Sequence, residues 1–240
     1  MTDPAQGSSS PPPYRSNLSQ KELDQIRSWH ERAYNQARAE GITAQTFEYL
    51  GLSLVVPPEV MPIAGVAHVF GNAILAEVNP GDRVLDMGTG SGVNAILAAG
   101  RGACVVAVDI NPHALNAARD NAGRNNVAEL VEVRHSDVFS AVEEQFDLIL
   151  FDPPYRWFAP RDLLEAAMTD EGYGAMTRFF REARRHLVPG GRMLISFGTS
   201  GDIDYLKRLM SKEGFEARVV ASTELVREDH KVEYFAFLVR

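Results

Sequence analysis

The chain has 240 residues, 45% of them hydrophobic and 23% charged, which suits one globular α/β domain with an N-terminal addition. Its net charge of −8 disfavours a nucleic-acid partner held through the overall field, although a local basic patch would override that field. One cysteine, Cys104, excludes an internal disulfide and a multi-cysteine zinc site, and no run of about 18 apolar residues offers a membrane span.

Residues 1–17 are rich in Ser, Pro and Gly and lack the apolar core of a secretory signal. They are expected to form a disordered or extended tail, and a cytoplasmic location follows by default. Ser19 and Glu22 have capping-box spacing. Leu23, Ile26, Ala33 and Ala37 continue as a partial apolar stripe to about Ala39, and Gly41 ends the helix. Two β-rich stretches, 46–50 and 52–56, surround Gly51, and Pro57, Pro58 and Pro62 make an irregular loop. Residues 18–62 are thus a helix and β-hairpin extension, and 63–240 a second unit that begins with a helix over 65–78. From Arg83 the pattern alternates. Strands are predicted over 83–86, 105–109, 130–135, 146–151, 192–197, 217–222 and 232–239, and helices over 93–99, 112–121, 174–187 and 203–213. Such alternation implies a mostly parallel sheet with helices on both faces. Cys104, inside the apolar run 103–108, is expected to be a small buried hydrophobe.

The strongest motif is Val84-Leu85-Asp86-Met87-Gly88-Thr89-Gly90-Ser91-Gly92, between a strand and a helix. Glycines there permit positive φ and close approach of backbone to a ligand, and in an open α/β sheet this turn borders the ligand crevice. A dinucleotide fingerprint requires Gly-x-Gly-x-x-Gly, but Val93 stands at its third position. Asp86 would also repel a pyrophosphate, which disfavours an NAD(P)-dependent reductase. The same carboxylate suits the ammonium end of a methionine moiety, directly or through water, and so points to S-adenosylmethionine (AdoMet), with S-adenosylhomocysteine as product. Asp86, Gly88, Thr89, Gly90 and Gly92 are assigned to that cofactor. Asp109, followed by Ile110, ends the second strand, where a carboxylate accepts hydrogen bonds from ribose hydroxyls. Capping of the helix opened by Asn111 and Pro112 is its alternative role. Asp137 follows the third strand and can accept from an adenine amino group while Val138 offers backbone contacts to the ring. A solvated turn is the alternative.

On these residues, 83–240 resembles the class I AdoMet-dependent methyltransferases. The resemblance implies a Rossmann-like, seven-stranded sheet whose last strand runs antiparallel. Phe151-Asp152-Pro153-Pro154-Tyr155 follows the fourth strand. Two prolines fix φ and leave the preceding carbonyls free. Asp152 and a carbonyl of this turn, such as that of Pro153, can together accept both hydrogens of a planar –NH2 group, and Tyr155 can stack on a flat acceptor. Asp152 therefore borders both cofactor and acceptor. The motif resembles the [Asn/Asp/Ser]-Pro-Pro-[Tyr/Phe] signature of enzymes that methylate sp2 nitrogens, and its aspartate form that of DNA adenine amino methyltransferases. Phe47-Glu48-Tyr49-Leu50-Gly51-Leu52-Ser53-Leu54-Val55-Val56 resembles the hairpin of release-factor glutamine methyltransferases. Pro58-Glu59-Val60-Met61-Pro62-Ile63 departs from the Arg-Pro-Glu-Thr-like segment that follows it there. The N-terminal helix is also shorter than a full release-factor-binding domain.

Residues 156–173 form a polar insertion with the placement of a substrate lid or a surface excursion. Arg178, Arg181, Arg184 and Arg185 share one helix, as a solvated face or an anion patch. His68, His113, His135, His186 and His230 show no metal spacing, although His68 and His230 could approach the crevice. The reading is an AdoMet-dependent N-methyltransferase acting on a protein side chain or small metabolite. An RNA or DNA nucleobase is the second choice, and a non-catalytic subunit of the same fold is the third.

Overall fold

The fold is given by a computed structural model, which describes residues 14–227 and 230–240. Helix α1 (Gln20–Glu40) opens on a complete capping box. The Ser19 hydroxyl accepts from the Glu22 backbone N–H, and the Glu22 carboxylate accepts from the Ser19 N–H at 2.8 Å. Strands β1 (Gln45–Tyr49) and β2 (Leu52–Val56) form an antiparallel hairpin closed at Leu50 and Gly51, with φ of 47° and 84°. Two successive left-handed residues match the twist of a two-residue hairpin turn.

After a 3-10 turn at Gly65–Ala67 come α2 (His68–Glu77), β3 (Arg83–Met87), α3 (Val93–Gly100), β4 (Cys104–Asp109), α4 (Pro112–Arg124), β5 (Val131–His135) and β6 (Phe146–Phe151). Then follow α5 (Leu163–Ala166), α6 (Gly174–Ala183), β7 (Leu187–Gly198), α7 (Ile203–Lys212), β8 (Ala217–Arg227) and β9 (His230–Val239). Seven strands make one sheet in the order β5-β4-β3-β6-β7-β9-β8, with β9 antiparallel to both its neighbours and the remaining pairs parallel. This is the Rossmann-like arrangement that the resemblance implied. Leu148, Ile149 and Leu150 of β6 are all fully buried, as a central parallel strand requires. One face of the sheet packs Leu85, Ile149 and Met193 against Phe179 and Phe180 of α6 and Leu206 of α7. The other packs Val84, Leu148 and Leu150 against Phe70 and Ile74 of α2 and Leu97 of α3. No helix among the described residues is long and apolar enough to cross a membrane.

Four expectations change. The helix predicted over 174–187 stops at Ala183, and a 3-10 turn at Arg184–His186 leads into β7, where Leu187 pairs with Phe146. The buried face of α1 is carried by Ile26, Trp29, His30, Tyr34 and Ala37, while Leu23 and Ala33 are only half-buried. Cys104 is exposed, because it is the first residue of β4, at the end of the sheet remote from the crevice and paired with exposed Arg83. Tyr14, expected in the tail, is docked. Its hydroxyl donates to Asp202 at 2.7 Å, and its ring meets those of Tyr173 and Tyr205 edge-on at 4.9 Å. Residues 1–13 lie outside the described residues.

The extension joins the sheet domain through side-chain amides. Asn121 of α4, fully buried, accepts from Val55 N–H at 2.8 Å and donates to Val55 O and Ser91 O at 2.9 Å. One helical turn later Asn125 accepts from Ser53 N–H at 3.1 Å and donates to Ser53 O at 2.9 Å. The two amides thus serve β2 as a neighbouring strand would, which answers the demand that enclosed backbone groups be paired.

Candidate active site

Strand register brings the predicted residues to one edge. Met87 pairs with Val108 on one side and Phe151 on the other, and Asp109 pairs with His135. Gly88, Asp109 and Asp152 therefore emerge side by side at the carboxyl ends of β3, β4 and β6, where ligands bind in such sheets.

In the glycine turn Gly88, Gly90 and Gly92 have φ of 70°, 54° and 84°. A Cβ at Gly88 or Gly90 would meet nothing within 4 Å, whereas one at Gly92 would lie 2.9 Å from Ala118 Cα. The first two glycines line an open bay, and the third lets the start of α3 approach α4. Asp86 is fully buried below the turn. Its Oδ2 accepts from the Thr89 hydroxyl at 2.6 Å and the Ala95 N–H at 3.1 Å, while Oδ1 has no partner among the described residues. Burial pushes this carboxyl up to about 7 against those two hydrogen bonds, with the charges of Asp109 and Asp152 adding to the rise. Asp109 accepts from Gly90 N–H and Asn111 N–H, both at 2.9 Å, and burial raises its pKa too. Asn111, not Asp109, is the cap of α4, accepting from His113 N–H at 2.9 Å. The Asn111 amide also donates to Glu59 O at 2.8 Å, which brings the proline-rich loop to this edge. Ile110 leaves an apolar side chain 60% exposed there.

Asp137 has a partner that its sequence context did not suggest. Arg178 of α6 grips both its carboxylate oxygens at 2.7 and 2.9 Å, and both side chains are about half exposed. Val138 holds a φ of 52°, a costly conformation for a β-branched residue, and its carbonyl accepts from the Ser136 hydroxyl at 2.7 Å.

At the end of β6, Asp152 is open to the crevice, while Pro153 behind it is buried. The Tyr155 hydroxyl donates to Asp152 Oδ1 at 2.9 Å and lies 2.7 Å from the Ser196 hydroxyl on β7. Surrounding protein pushes the Asp152 carboxyl up, opposed by bonds to Tyr155 and Ser196. Burial and the charge of Asp152 hold Tyr155 well above its ordinary range, so it stays a donor. Its hydroxyl thus serves to fix Asp152, and its ring packs on Phe197 at 5.1 Å. The Tyr155 carbonyl accepts from the Tyr173 hydroxyl at 2.7 Å, and a Cβ at Gly201 would lie 2.0 Å from that oxygen. The turn is held on both sides.

Three contributors were missed in the sequence. Ser196 has no motif of its own. Tyr49, at the hairpin tip, is pushed up to about 12 by burial and then by the charge of Asp152, and its hydroxyl lies against Gly71 of α2. His30 is buried on α1 and joined to Glu165 of the insertion at 2.7 Å. Tyr34 donates to Asp162 at 2.6 Å, and Arg161 lies over the Tyr34 ring at 4.3 Å. The insertion is therefore a wall packed on α1, not a free excursion. His30, Glu31 and Glu165 come together as a metal ion would require, but Arg161 already grips Glu165 at 2.6 Å and Glu31 at 3.0 Å. Of the other histidines, His68 bonds Gly65 O at 2.7 Å, His113 lies 3.8 Å from Glu59 and His186 stacks on Phe139 at 4.2 Å. The side chain of His230 lies outside the described residues.

Residues 70–224 match the family described as methyltransferase small domain. The release factor glutamine methyltransferase of Cereibacter sphaeroides is 39% identical over 143 residues, 53% of this chain and 50% of that protein. A putative protein N5-glutamine methyltransferase of Methanocaldococcus jannaschii is 30% identical over 191 residues, 76% of this chain and 94% of that one. The ribosomal RNA small subunit methyltransferase C of Chromohalobacter salexigens is 36% identical over 156 residues, 62% of this chain and 43% of that one. The chain thus spans about half the length of the first and third of these relatives. In fold it is similar to a tRNA methyltransferase of Methanocaldococcus jannaschii, with a TM-score of 0.61 and 20% identity over 82% of this chain and 56% of that one.

Proposed function

The chain belongs to the methyltransferase small domain family, and we propose that it transfers the methyl group of AdoMet to a planar nitrogen of a protein side chain or small molecule. The observation that carries this reading is the Asp152–Tyr155–Ser196 relay beside the open bay at Gly88 and Gly90.

The residues present fit AdoMet. The carboxylate of Asp86, buried below the turn with one oxygen unpaired, would attract an ammonium group directly or through water, the bay accepts backbone-close atoms, Asp109 retains lone pairs for ribose hydroxyls, and exposed Ile110 offers an apolar cover for adenine. The Asp137–Arg178 pair is half exposed and screened by solvent, so a competing hydrogen bond to Asp137 would share or displace one of its two contacts. AdoMet, when bound, supplies a methyl group already activated on a sulfonium. The remaining task is orientation, which contributes on the order of 7–11 kcal/mol in well-aligned reactions. Protonated Tyr155 fixes the Asp152 carboxylate. Asp152 and the Pro153 carbonyl accept the two N–H bonds of the acceptor, and Asp152 also stabilises the positive charge that develops on the nitrogen.

Acidity and the likeness to protein glutamine methyltransferases favour a protein or small-molecule acceptor over a nucleobase. The test is incubation of a cell extract with the protein and methyl-labelled AdoMet, followed by protease or nuclease digestion. Label in protein or small molecules that vanishes with Asp152→Ala supports the proposal. Label in nuclease-sensitive material selects the nucleobase reading, and AdoMet binding without any transfer defeats the catalytic one.

A further inference from the structure

Arg156, the residue after the Asp-Pro-Pro-Tyr turn, is 7% exposed, and its Nε is buried without a hydrogen-bond partner. No carboxylate among the described residues pairs with its guanidinium. An enclosed cation is normally matched by an anion, because removing it from water is costly unless pairing offsets the loss. Here the surroundings are aromatic. The guanidinium carbon lies 5.8 Å from the centroid of the Tyr155 ring. Its burial lowers its pKa, and no carboxylate is among the groups that oppose that fall. His30 is close enough for the Arg156 charge to disfavour its protonation, and the buried Nδ1 of His30 is likewise unpaired.

The chain holds this cation in place. Arg156 pairs with Thr169 as an isolated parallel bridge, its carbonyl accepts from Asp170 N–H at 2.7 Å, and its N–H donates to Met168 O at 3.4 Å. Both ends of the insertion are thereby tied around one unpaired charge. The location is equally specific. A single tyrosine ring separates the guanidinium from Asp152, since Tyr155 touches the first with its face and bonds the second with its hydroxyl.

We propose that Arg156 binds a carboxylate of the methyl acceptor, so that the acceptor is an acidic molecule or segment carrying one carboxylate close to its reactive nitrogen. This rests on the methyltransferase reading and specifies its substrate class. Nε lacks a partner, and a guanidinium presents paired N–H donors that match the two oxygens of a carboxylate. One guanidinium balances one negative charge, which favours a carboxylate over a phosphate that carries nearly two at neutral pH. A buried charge left unpaired in the free protein is also a destabilising feature of the kind that binding sites retain.

The experiment uses Arg156→Met, which removes the charge at similar volume, beside Arg156→Lys. Acetate, inorganic phosphate, N-acetylglutamine and the neutral carboxamide of N-acetylglutamine are titrated into AdoMet-loaded protein by calorimetry. The wild type is expected to bind N-acetylglutamine at least tenfold more tightly than its carboxamide and acetate more tightly than phosphate. Arg156→Met should lose both preferences, keep AdoMet affinity within twofold, and melt at the same or a higher temperature in the absence of ligand. Arg156→Lys should retain part of the preference. Absence of a carboxylate preference in the wild type, including failure of every probe to bind, overturns the proposal. So does an intact preference in Arg156→Met, and a preference for phosphate overturns the carboxylate assignment. Failure to bind AdoMet at all would instead defeat the methyltransferase reading beneath it.

Discussion

The proposed cofactor and acceptor halves of the crevice are built over different distances along the chain. On the cofactor side Asp86 bonds residues three and nine positions away, and Asp109 bonds residues two and nineteen away. On the acceptor side Tyr155 reaches Ser196 across 41 residues, Tyr34 reaches Asp162 across 128, His30 reaches Glu165 across 135 and Tyr14 reaches Asp202 across 188. A pocket made by the ends of neighbouring strands and the short turns after them forms wherever that local sequence does. A wall made by α1, the hairpin tip, the insertion and β7 changes when any of them changes. The same donor site can thus be kept while the acceptor is varied.

The sharpest way to separate the halves is a pair of substitutions. Asp152→Ala should lower single-turnover methyl transfer by roughly one to two orders of magnitude, the loss expected for about 1.5–3 kcal/mol of hydrogen bonding to a charged group, and spare AdoMet affinity. Asp109→Ala should weaken AdoMet binding by a similar factor in calorimetry. If each variant impairs both steps equally, the halves are not separate. Asn121→Ala strikes the junction between them. Losing a fully buried amide with three hydrogen bonds should cost about 2 kcal/mol in urea denaturation, and an unchanged midpoint would show that the hairpin needs no such bond.

Asp86 offers a test by pH. Its carboxyl is raised to about 7 in the folded chain, above an unfolded value of about 3.9. The folded state therefore binds the extra proton between these values, and this group's contribution to stability falls as pH rises through that window. An ammonium ligand needs the ionised form, so AdoMet affinity should rise by up to about tenfold from pH 6 to 8. Asp86→Asn should flatten that dependence, whereas a slope shared by both proteins would assign it to another group. The smallest effect is expected at Tyr14→Phe, where loss of the bond to Asp202 should remove about 1 kcal/mol and lower the melting temperature by a few degrees.

The same division explains what was legible in the sequence. Asp86, Gly88, Gly90, Asp109 and Asp152 could be placed because each sits at a strand end whose apolar run announces it. Asn111 was read as opening its helix, although its capping role was first given to Asp109 as an alternative. The signals failed where the deciding contact was remote. Nothing near Asp137 indicates that Arg178 will hold it, and nothing near Tyr155 announces Ser196. His30 looks like any helical histidine until Glu165 closes on it. Tyr14 stands in a segment whose composition reads as solvated, yet one aromatic ring with three partners at Trp157, Tyr173 and Tyr205 is enough to dock it. Cys104 was misplaced for a simpler reason: hydrophobicity averaged over a run does not say which end of a strand meets water.

The Asn121 amide has a consequence for the order of events in the crevice. One side chain bonds Val55 of the hairpin and Ser91 of the glycine turn, so stiffening either segment restrains the other. The hairpin ends at Tyr49 near Asp152, and the turn ends at the cofactor bay. If filling the bay orders the turn, the free energy of that ordering is shared with the rim against which the acceptor lies. Equilibrium reciprocity then demands that the acceptor tighten the hold on the cofactor by the same factor by which the cofactor tightens the hold on the acceptor, and that cutting the amide abolish both effects together.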